Sequence, residues 1–248
     1  MKSFEHLKIL KVTAVIFVSM IVLFILAPSI DIAVSGAFFR ADDGFYLANN
    51  EFLTTFRFAM WRLMLVFLCV SMMLMLIGLL WRRDIFGIRT QLWVMITALF
   101  ILGPGVLVNL VLKSVSGRAR PADVTLFGGD ANFTPAWLFS DQCVSNCSFV
   151  SGEGSGAAAL VISGVLVLLE LRSRLGDFWL RIGTTALVLL GVMAAAQRVA
   201  TGRHFLSDTV FAILLIFGLA VVLHGLIVDK VSRQTLVSQA KLRLRTFL

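Results

Sequence analysis

His204 and Asp208 stand four positions apart, within Arg198-Val-Ala-Thr-Gly-Arg203-His204-Phe-Leu-Ser207-Asp208. On a helix that is one turn, which puts both side chains on one face. A carboxylate so placed accepts a hydrogen bond from one ring nitrogen, fixes the tautomer and leaves the other nitrogen free to attack. A His–Asp pair alone is structural more often than catalytic, so the reading depends on what accompanies it. Lys113-Ser-Val-Ser-Gly-Arg118-Ala-Arg120-Pro121 sets two cations seven residues apart, on one face if the helix continues; Gly117 and Pro121 mark its end nearby. Ser148-Phe149-Val150-Ser151-Gly152-Glu153-Gly154-Ser155-Gly156 opens an apolar run with small residues. The free backbone N–H groups and dipole of such a helix start bind anions. Each stretch has a plainer reading: cations snorkelling at a helix end, glycines serving helix contacts. Together they supply at least three cations, an amide-rich helix start, Glu153 as a carboxylate and the His204–Asp208 pair. That set suits phosphoryl transfer, which needs charge on the equatorial oxygens and an in-line nucleophile.

The elements that must bring these segments together are membrane spans. Of 248 residues 59% are apolar and 15% charged, with mean hydropathy +0.95. That excludes an ordinary soluble enzyme. A span takes about 20 mostly apolar residues, and six segments qualify: 10–28, 60–81, 91–112, 155–171, 179–199 and 208–228. The expected fold is all-α, a single polytopic domain over 1–248. The N-terminus has the basic flank of a signal peptide at Lys2, Lys8 and Lys11, but no small-x-small cleavage site follows Val12–Ala27, so it reads as an uncleaved first span. No segment carries a nucleic-acid recognition motif, and the net charge of +8 fits loops held against anionic lipid instead.

Of the 22 Lys and Arg, fourteen fall on the side of the N-terminus: Lys2, Lys8, Lys11, Arg82, Arg83, Arg89, Arg172, Arg174, Arg181, Lys230, Arg233, Lys241, Arg243 and Arg245. Eight fall on the other: Arg40, Arg57, Arg62, Lys113, Arg118, Arg120, Arg198 and Arg203. This bias predicts both termini in the cytoplasm and the three chemical segments on the outer face. The long loops, 29–59 and 113–154, lie on that face. Aromatics of the second, Phe127, Phe133, Trp137 and Phe139, either sit at the membrane interface or, from Phe133 to Phe139, dip toward the bilayer and guide a lipid. Cys143 and Cys147 share the loop, either as a disulfide or as free thiols; no histidine near them suggests zinc. Residues 230–248 read either as an amphipathic helix along the inner membrane surface or as a disordered tail. His6 and His224 lie away from the outer face.

The three segments resemble the type-2 phosphatidic acid phosphatase superfamily, whose pattern is K-x6-R-P, then P-S-G-H, then S-R-x5-H-x3-D. Lys113-x6-Arg120-Pro121 and Arg198-x5-His204-x3-Asp208 match in order and spacing, and the resemblance covers most of the chain. It implies a six-span membrane phosphatase without metal or other cofactor. Lys113, Arg120 and Arg198 would bind phosphate, with bonds added by Ser151 and the Gly152 amide. His204 would form a phosphohistidine, and Asp208 would orient it. Two positions depart: Gln197 replaces the usual serine, and Val150-Ser151-Gly152-Glu153 puts Glu153 where a histidine protonates the leaving group. Nearby cations oppose proton donation by a carboxylate, whereas burial and a bound dianion favour it. Glu153 is thus read as a general acid, as a sign of a leaving group that needs little protonation, or as a lesion; an active enzyme is expected, because the nucleophile and clamp are intact.

The stretch from Phe127-Gly128-Gly129 through Cys143 to Cys147-Ser148-Phe149-Val150-Ser151-Gly152-Glu153 is similar to a branch associated with lipid A phosphatases in alphaproteobacteria. The expected partner is a phosphorylated membrane lipid in the inner-membrane bilayer. Phosphatidylglycerophosphate, undecaprenyl pyrophosphate and transfer to an acceptor other than water compete with lipid A. A non-catalytic anionic-lipid binder or transporter is a separate class. Transport predicts polar residues through the bilayer, and the second, third, fourth and sixth spans show almost none.

Overall fold

The computed structural model describes residues 3–229. The basic segment 230–248, expected to follow the membrane surface or remain disordered, lies outside the described residues.

Six helices are long and apolar enough to cross a membrane, and the chain is an all-α polytopic membrane protein. They are α1 (Ser3–Leu26), α3 (Glu51–Trp81), α4 (Thr90–Val115), α5 (Gly152–Glu170), α6 (Arg172–Ala200) and α7 (Leu206–Asp229); a short α2 (Ser29–Gly36) follows α1. Because the long helices alternate in direction, residues 27–50, 116–151 and 201–205 meet at one end, opposite the first residues of α1 and the end of α7.

The expected spans differ from the helices mainly at the functional end. The second begins at Glu51, not near 60. Asn50 caps it, its side chain accepting from the Leu53 N–H at 3.0 Å, and Glu51 favours the positive end of the dipole. Its 31 residues rise roughly 46 Å at 1.5 Å each, well beyond a hydrocarbon core of about 30 Å. The first turns, carrying Arg57, therefore stand above the apolar run. Loop 29–59 is accordingly not a plain loop: it also holds α2 and a hairpin of Phe39–Arg40 against Gly44–Phe45.

Within α4 the winding loosens to a π-helix over Ile101–Leu112 around Pro104, which has no N–H to give. The helix ends at Val115. The expectation that Lys113 and Arg120 share one helical face therefore fails. Gly117 turns the chain with φ 61°, and a Cβ there would lie 1.5 Å from the Ser140 carbonyl oxygen. Arg120 then reaches the site from extended backbone. In α6 the helix breaks at Gly176 (φ 73°, ψ 165°), which places the spanning portion close to the expected 179–199.

Helix α5 packs through small residues. A Cβ on Gly156 would lie 2.5 Å from Met64 Sδ, and one on Gly164 would lie 2.8 Å from Leu187. Close approach of this kind holds helices together where the solvent is itself apolar. The aromatics of residues 116–151 mostly pack inward. Phe127 meets Phe39 and Phe45, Phe133 lies against Phe205, and Trp137 meets Phe149 at 4.8 Å between ring centres. Phe139 faces outward instead, 79% exposed. Phe133 and Trp137 thus pack against core aromatics, while Leu138 and Phe139 form an exposed apolar tip.

Beneath the loops lies a buried polar centre. Arg118 donates to Asp31 at 2.8 Å, to Asp208 at 2.6 Å, to Ser207 Oγ at 2.8 Å and to the Thr134 carbonyl at 2.8 Å. Its guanidinium also lies 4.3 Å from the Phe205 ring centre. Both side-chain contacts to carboxylates are about 1% exposed. Removing one member leaves an uncompensated buried charge, at a cost of about 3–5 kcal/mol. Arg118→Ala is therefore expected to lower stability by about that amount, read as a large fall in thermal midpoint in detergent. A shift like that of a surface substitution would contradict the arrangement.

Candidate active site

Three backbone hydrogen bonds join the chemical segments pairwise. Ser148 N–H donates to the Arg118 carbonyl at 2.8 Å, Ser151 N–H to the Asp208 carbonyl at 3.1 Å, and Ala122 N–H to the Gly202 carbonyl at 3.0 Å. Side chains separated by up to some ninety residues are thereby held on main chain rather than on flexible loops.

His204 is 2% exposed. Its Nδ1 lies 2.8 Å from the Ser148 carbonyl oxygen. A carbonyl only accepts, so Nδ1 carries the proton and Nε2 keeps its lone pair. The direct bond expected from Asp208 is not made: its nearest oxygen is 3.6 Å from Nδ1, too far for a hydrogen bond. The Asp208 carboxylate is occupied elsewhere, by Arg118, by Ser148 Oγ at 2.5 Å and by the Phe205 N–H at 2.8 Å. Asp208 thus fixes Ser148, and the Ser148 carbonyl fixes the ring. Burial lowers the His204 pKa to about 4, against the opposing pull of Asp208.

The loop around His204 turns at Gly202, φ 67°, where a Cβ would meet the Phe45 ring at 2.4 Å. Ser151 caps α5, its Oγ accepting from the Gly154 N–H at 3.1 Å while its hydroxyl proton stays available. At Gly152 a Cβ would lie 2.6 Å from Asn109 Oδ1 and 3.3 Å from Lys113 Nζ. Lys113 therefore sits directly beside the helix start, as the sequence implied.

Lys113 Nζ donates to Asn146 Oδ1 at 3.0 Å, and Arg120 donates to the Asn146 carbonyl at 2.8 Å. Asn146 lies in the short loop that Cys143 and Cys147 close as a disulfide. Glu153 is held between two arginines: Oε1 accepts from Arg57 Nε at 2.8 Å, and Oε2 is 3.3 Å from Arg198 Nε. Arg198 is 5% exposed. Lys113, Gly152, Glu153 and Arg198 are thus brought together, with Arg120 joined through Asn146.

A groove of about 600 Å³ runs from this cluster between α3, α4 and α5. Its polar end carries Arg57, Lys113, Gly152 and Glu153, and its walls continue as Met64, Leu65, Leu68 and Phe100.

Several contributors escaped the sequence reading. Arg118 counted only as an outer charge, although it lies two residues before Arg120. Asp31 follows the first span, and a carboxylate at a membrane boundary is a signal in itself. Asn146 and Ser148 act partly through backbone carbonyls, which side-chain identity does not reveal. Arg57 stood in a region read as loop. At the opposite end, His6, His224 and Asp229 gather close enough to be metal-capable, the single such group among the described residues. Their separation along the chain hides this group from any reading by spacing.

Residues 91–232 match the PAP2 superfamily. The lipid A 4'-phosphatase of Francisella tularensis subsp. novicida (strain U112) is 29% identical over 217 residues, spanning 84% of this chain and 91% of that protein. The lipid A 4'-phosphatase of Rhizobium leguminosarum is 38% identical over 110 residues, 44% of each chain. That of Rhizobium etli is 37% identical over 108 residues, 44% of this chain and 39% of that protein. No solved structure matches.

The imidazole makes a direct prediction. With its pKa lowered, His204 stays neutral as pH falls through 6.5 and takes up a proton only near pH 4. Nitrogen-15 NMR of histidine-labelled protein, assigned with His204→Gln, is expected to show a neutral ring at pH 5.5. An ordinary titration near 6.5 would contradict the burial argument.

Proposed function

The chain belongs to the PAP2 superfamily, and from that premise we propose that it is a phosphatase acting on a phosphorylated membrane lipid, lipid A, through a phosphohistidine at His204. The observation that carries this reading is the convergence of Lys113, Arg198, the α5 start and a His204 whose Nδ1 is committed to a carbonyl.

In this reading the phosphate settles against Lys113, Arg120 and Arg198, with the Gly152 N–H and the Ser151 hydroxyl adding bonds. His204 Nε2 attacks phosphorus in line, and the bond from phosphorus to the lipid oxygen breaks. Glu153, displaced from its arginines by the incoming phosphate, relays a proton taken from solvent to that oxygen. Water then attacks the phosphohistidine, which releases phosphate and restores the free ring. Asp208 is a positioning residue that acts through Ser148.

The groove supports a lipid substrate, because its apolar walls begin at the phosphate end. Lipid A is favoured by the named relatives, one of which is similar over 84% of this chain. The surplus of Lys and Arg on the terminal side argues for a site on the periplasmic face of the inner membrane, with both termini cytoplasmic. A Cys143–Cys147 disulfide in the functional loop agrees with an oxidising compartment.

The purified full chain is tested for phosphate release from lipid A, phosphatidylglycerophosphate, phosphatidic acid and undecaprenyl pyrophosphate, with EDTA present. Release is expected from lipid A, undiminished by the chelator and abolished in His204→Ala. Preference for another lipid would reassign the substrate, and full activity in His204→Ala would remove the nucleophile. Glu153→Gln is expected to slow turnover by about 10²-fold or more, the usual worth of a positioned acid, while Glu153→His keeps activity. Equal rates in wild type and Glu153→Gln would exclude the general-acid role.

A further inference from the structure

The last turns of α7 change from α-helix to π-helix over His224–Asp229. On an α-helix, side chains five apart point about 140° away from each other. Winding with i→i+5 bonds brings them to one side, and such stretches gather at functional sites. His224 and Asp229 are five apart, and His224 Nδ1 lies 3.8 Å from Asp229 Oδ1. His6, in the first turns of α1, completes the group. Its Nε2 is 2.5 Å from Asp229 Oδ2, and its ring stacks on that of His224 with 5.2 Å between centres. One donor atom from each of the three side chains falls within 4.8 Å of the others.

The three side chains are between 12% and 19% exposed. Ionisable groups so shielded near a membrane boundary are paired or functional, and here the pairing is incomplete. His224 Nδ1 is buried without a hydrogen-bond partner among the described residues. At 3.8 Å the Asp229 carboxylate is too far to supply one. A buried nitrogen in this state calls for a partner. A divalent ion supplies it, accepting a lone pair from each ring and one from the carboxylate. Two imidazoles and a carboxylate suit zinc, whereas calcium and magnesium take sets of oxygen ligands. Zinc bonds of about 2.0–2.2 Å put ligand atoms roughly 3–4 Å apart. The close His6–Asp229 pair therefore opens, and the widest separation closes, as the ion enters. Three protein ligands leave the fourth position to water. Arg89, at the start of α4, lies within electrostatic reach of Asp229. Glu170 accepts from its Nε at 3.1 Å and offsets that charge.

We propose that His6, His224 and Asp229 form a zinc site that ties the start of the first span to the end of the last. The site stands at the end of the bundle opposite His204 and takes no part in the reaction there. Its effect is structural: the ion cross-links side chains 223 positions apart in the chain and stabilises the folded state by mass action.

The full chain without an affinity tag, stripped of metal and held in detergent micelles at neutral pH, is titrated with zinc chloride by calorimetry. Wild type is expected to bind one ion per chain, and His6→Ala, His224→Ala and Asp229→Asn each to bind at least tenfold more weakly. His204→Gln, which removes the third histidine of the chain, is expected to keep wild-type affinity. Thermal melts supply the second readout. A hundredfold excess of zinc over its Kd is expected to raise the wild-type midpoint by about 5 °C or more relative to EDTA. The three site variants are expected to melt at the same temperature in zinc and in EDTA, and a cooperative transition in EDTA reports that they are folded. No zinc binding by wild type overturns the proposal, as does binding that survives the site substitutions or is lost in His204→Gln. Neither readout involves turnover, so the result stands apart from the phosphatase reading.

Discussion

The arrangement depends on one buried cation. Arg118 bridges Asp31, at the end of the first span, and Asp208, at the start of the last, and its own backbone carbonyl holds Ser148. Three remote parts of the chain are thereby fixed relative to one another. Two carboxylates and one guanidinium buried together are not an obvious gain in net stability, since desolvation opposes most of the attraction. What the triad supplies is register: Asp208 can take few other positions without stranding a charge. His204 inherits that register through the Ser148 carbonyl, so a hydrogen bond that looks incidental sets which ring nitrogen keeps its lone pair.

The second constraint is mutual repulsion among cations. Lys113, Arg120, Arg198, Arg57 and Arg203 crowd one end of the bundle. Crowded cations must be offset for the chain to stay folded, and the protein uses its own oxygens. Asn146 offers one to Lys113 and one to Arg120, while Glu153 spans Arg57 and Arg198. The replacement of a family histidine by Glu153 then has a physical consequence. A histidine would add no fixed negative charge here, whereas the carboxylate neutralises part of the cationic cluster.

Much of this was legible in the sequence. Six apolar runs pointed to the bundle, because hydrophobic length is a local property; the three motifs named residues that the fold gathers, although the helical spacing assumed for 113–120 and for 204–208 does not hold. The boundaries failed where local chemistry overrode hydropathy. Asn50 and Glu51 extend α3 by nine residues beyond the apolar run, and that extension delivers Arg57. The direct His204–Asp208 bond was a fair inference from i,i+4 spacing, yet Asp208 sits in the first turn of its helix and His204 lies before it. Asp31 and Ser148 were invisible because their contributions depend on tertiary pairing and on backbone carbonyls. The disulfide was one of two open readings, and the sequence alone had no means of choosing between them.

The central claim is that His204 carries the phosphoryl group between lipid and water. Enzyme quenched during turnover in alkaline denaturant, digested and analysed by mass spectrometry would test it most directly. The account predicts a phosphoryl adduct on the peptide that contains His204, stable in base and lost in acid, and absent when Glu153, Lys113 and Arg198 are intact but His204 is glutamine. Turnover with no adduct on that peptide, or an adduct on another residue, would contradict it.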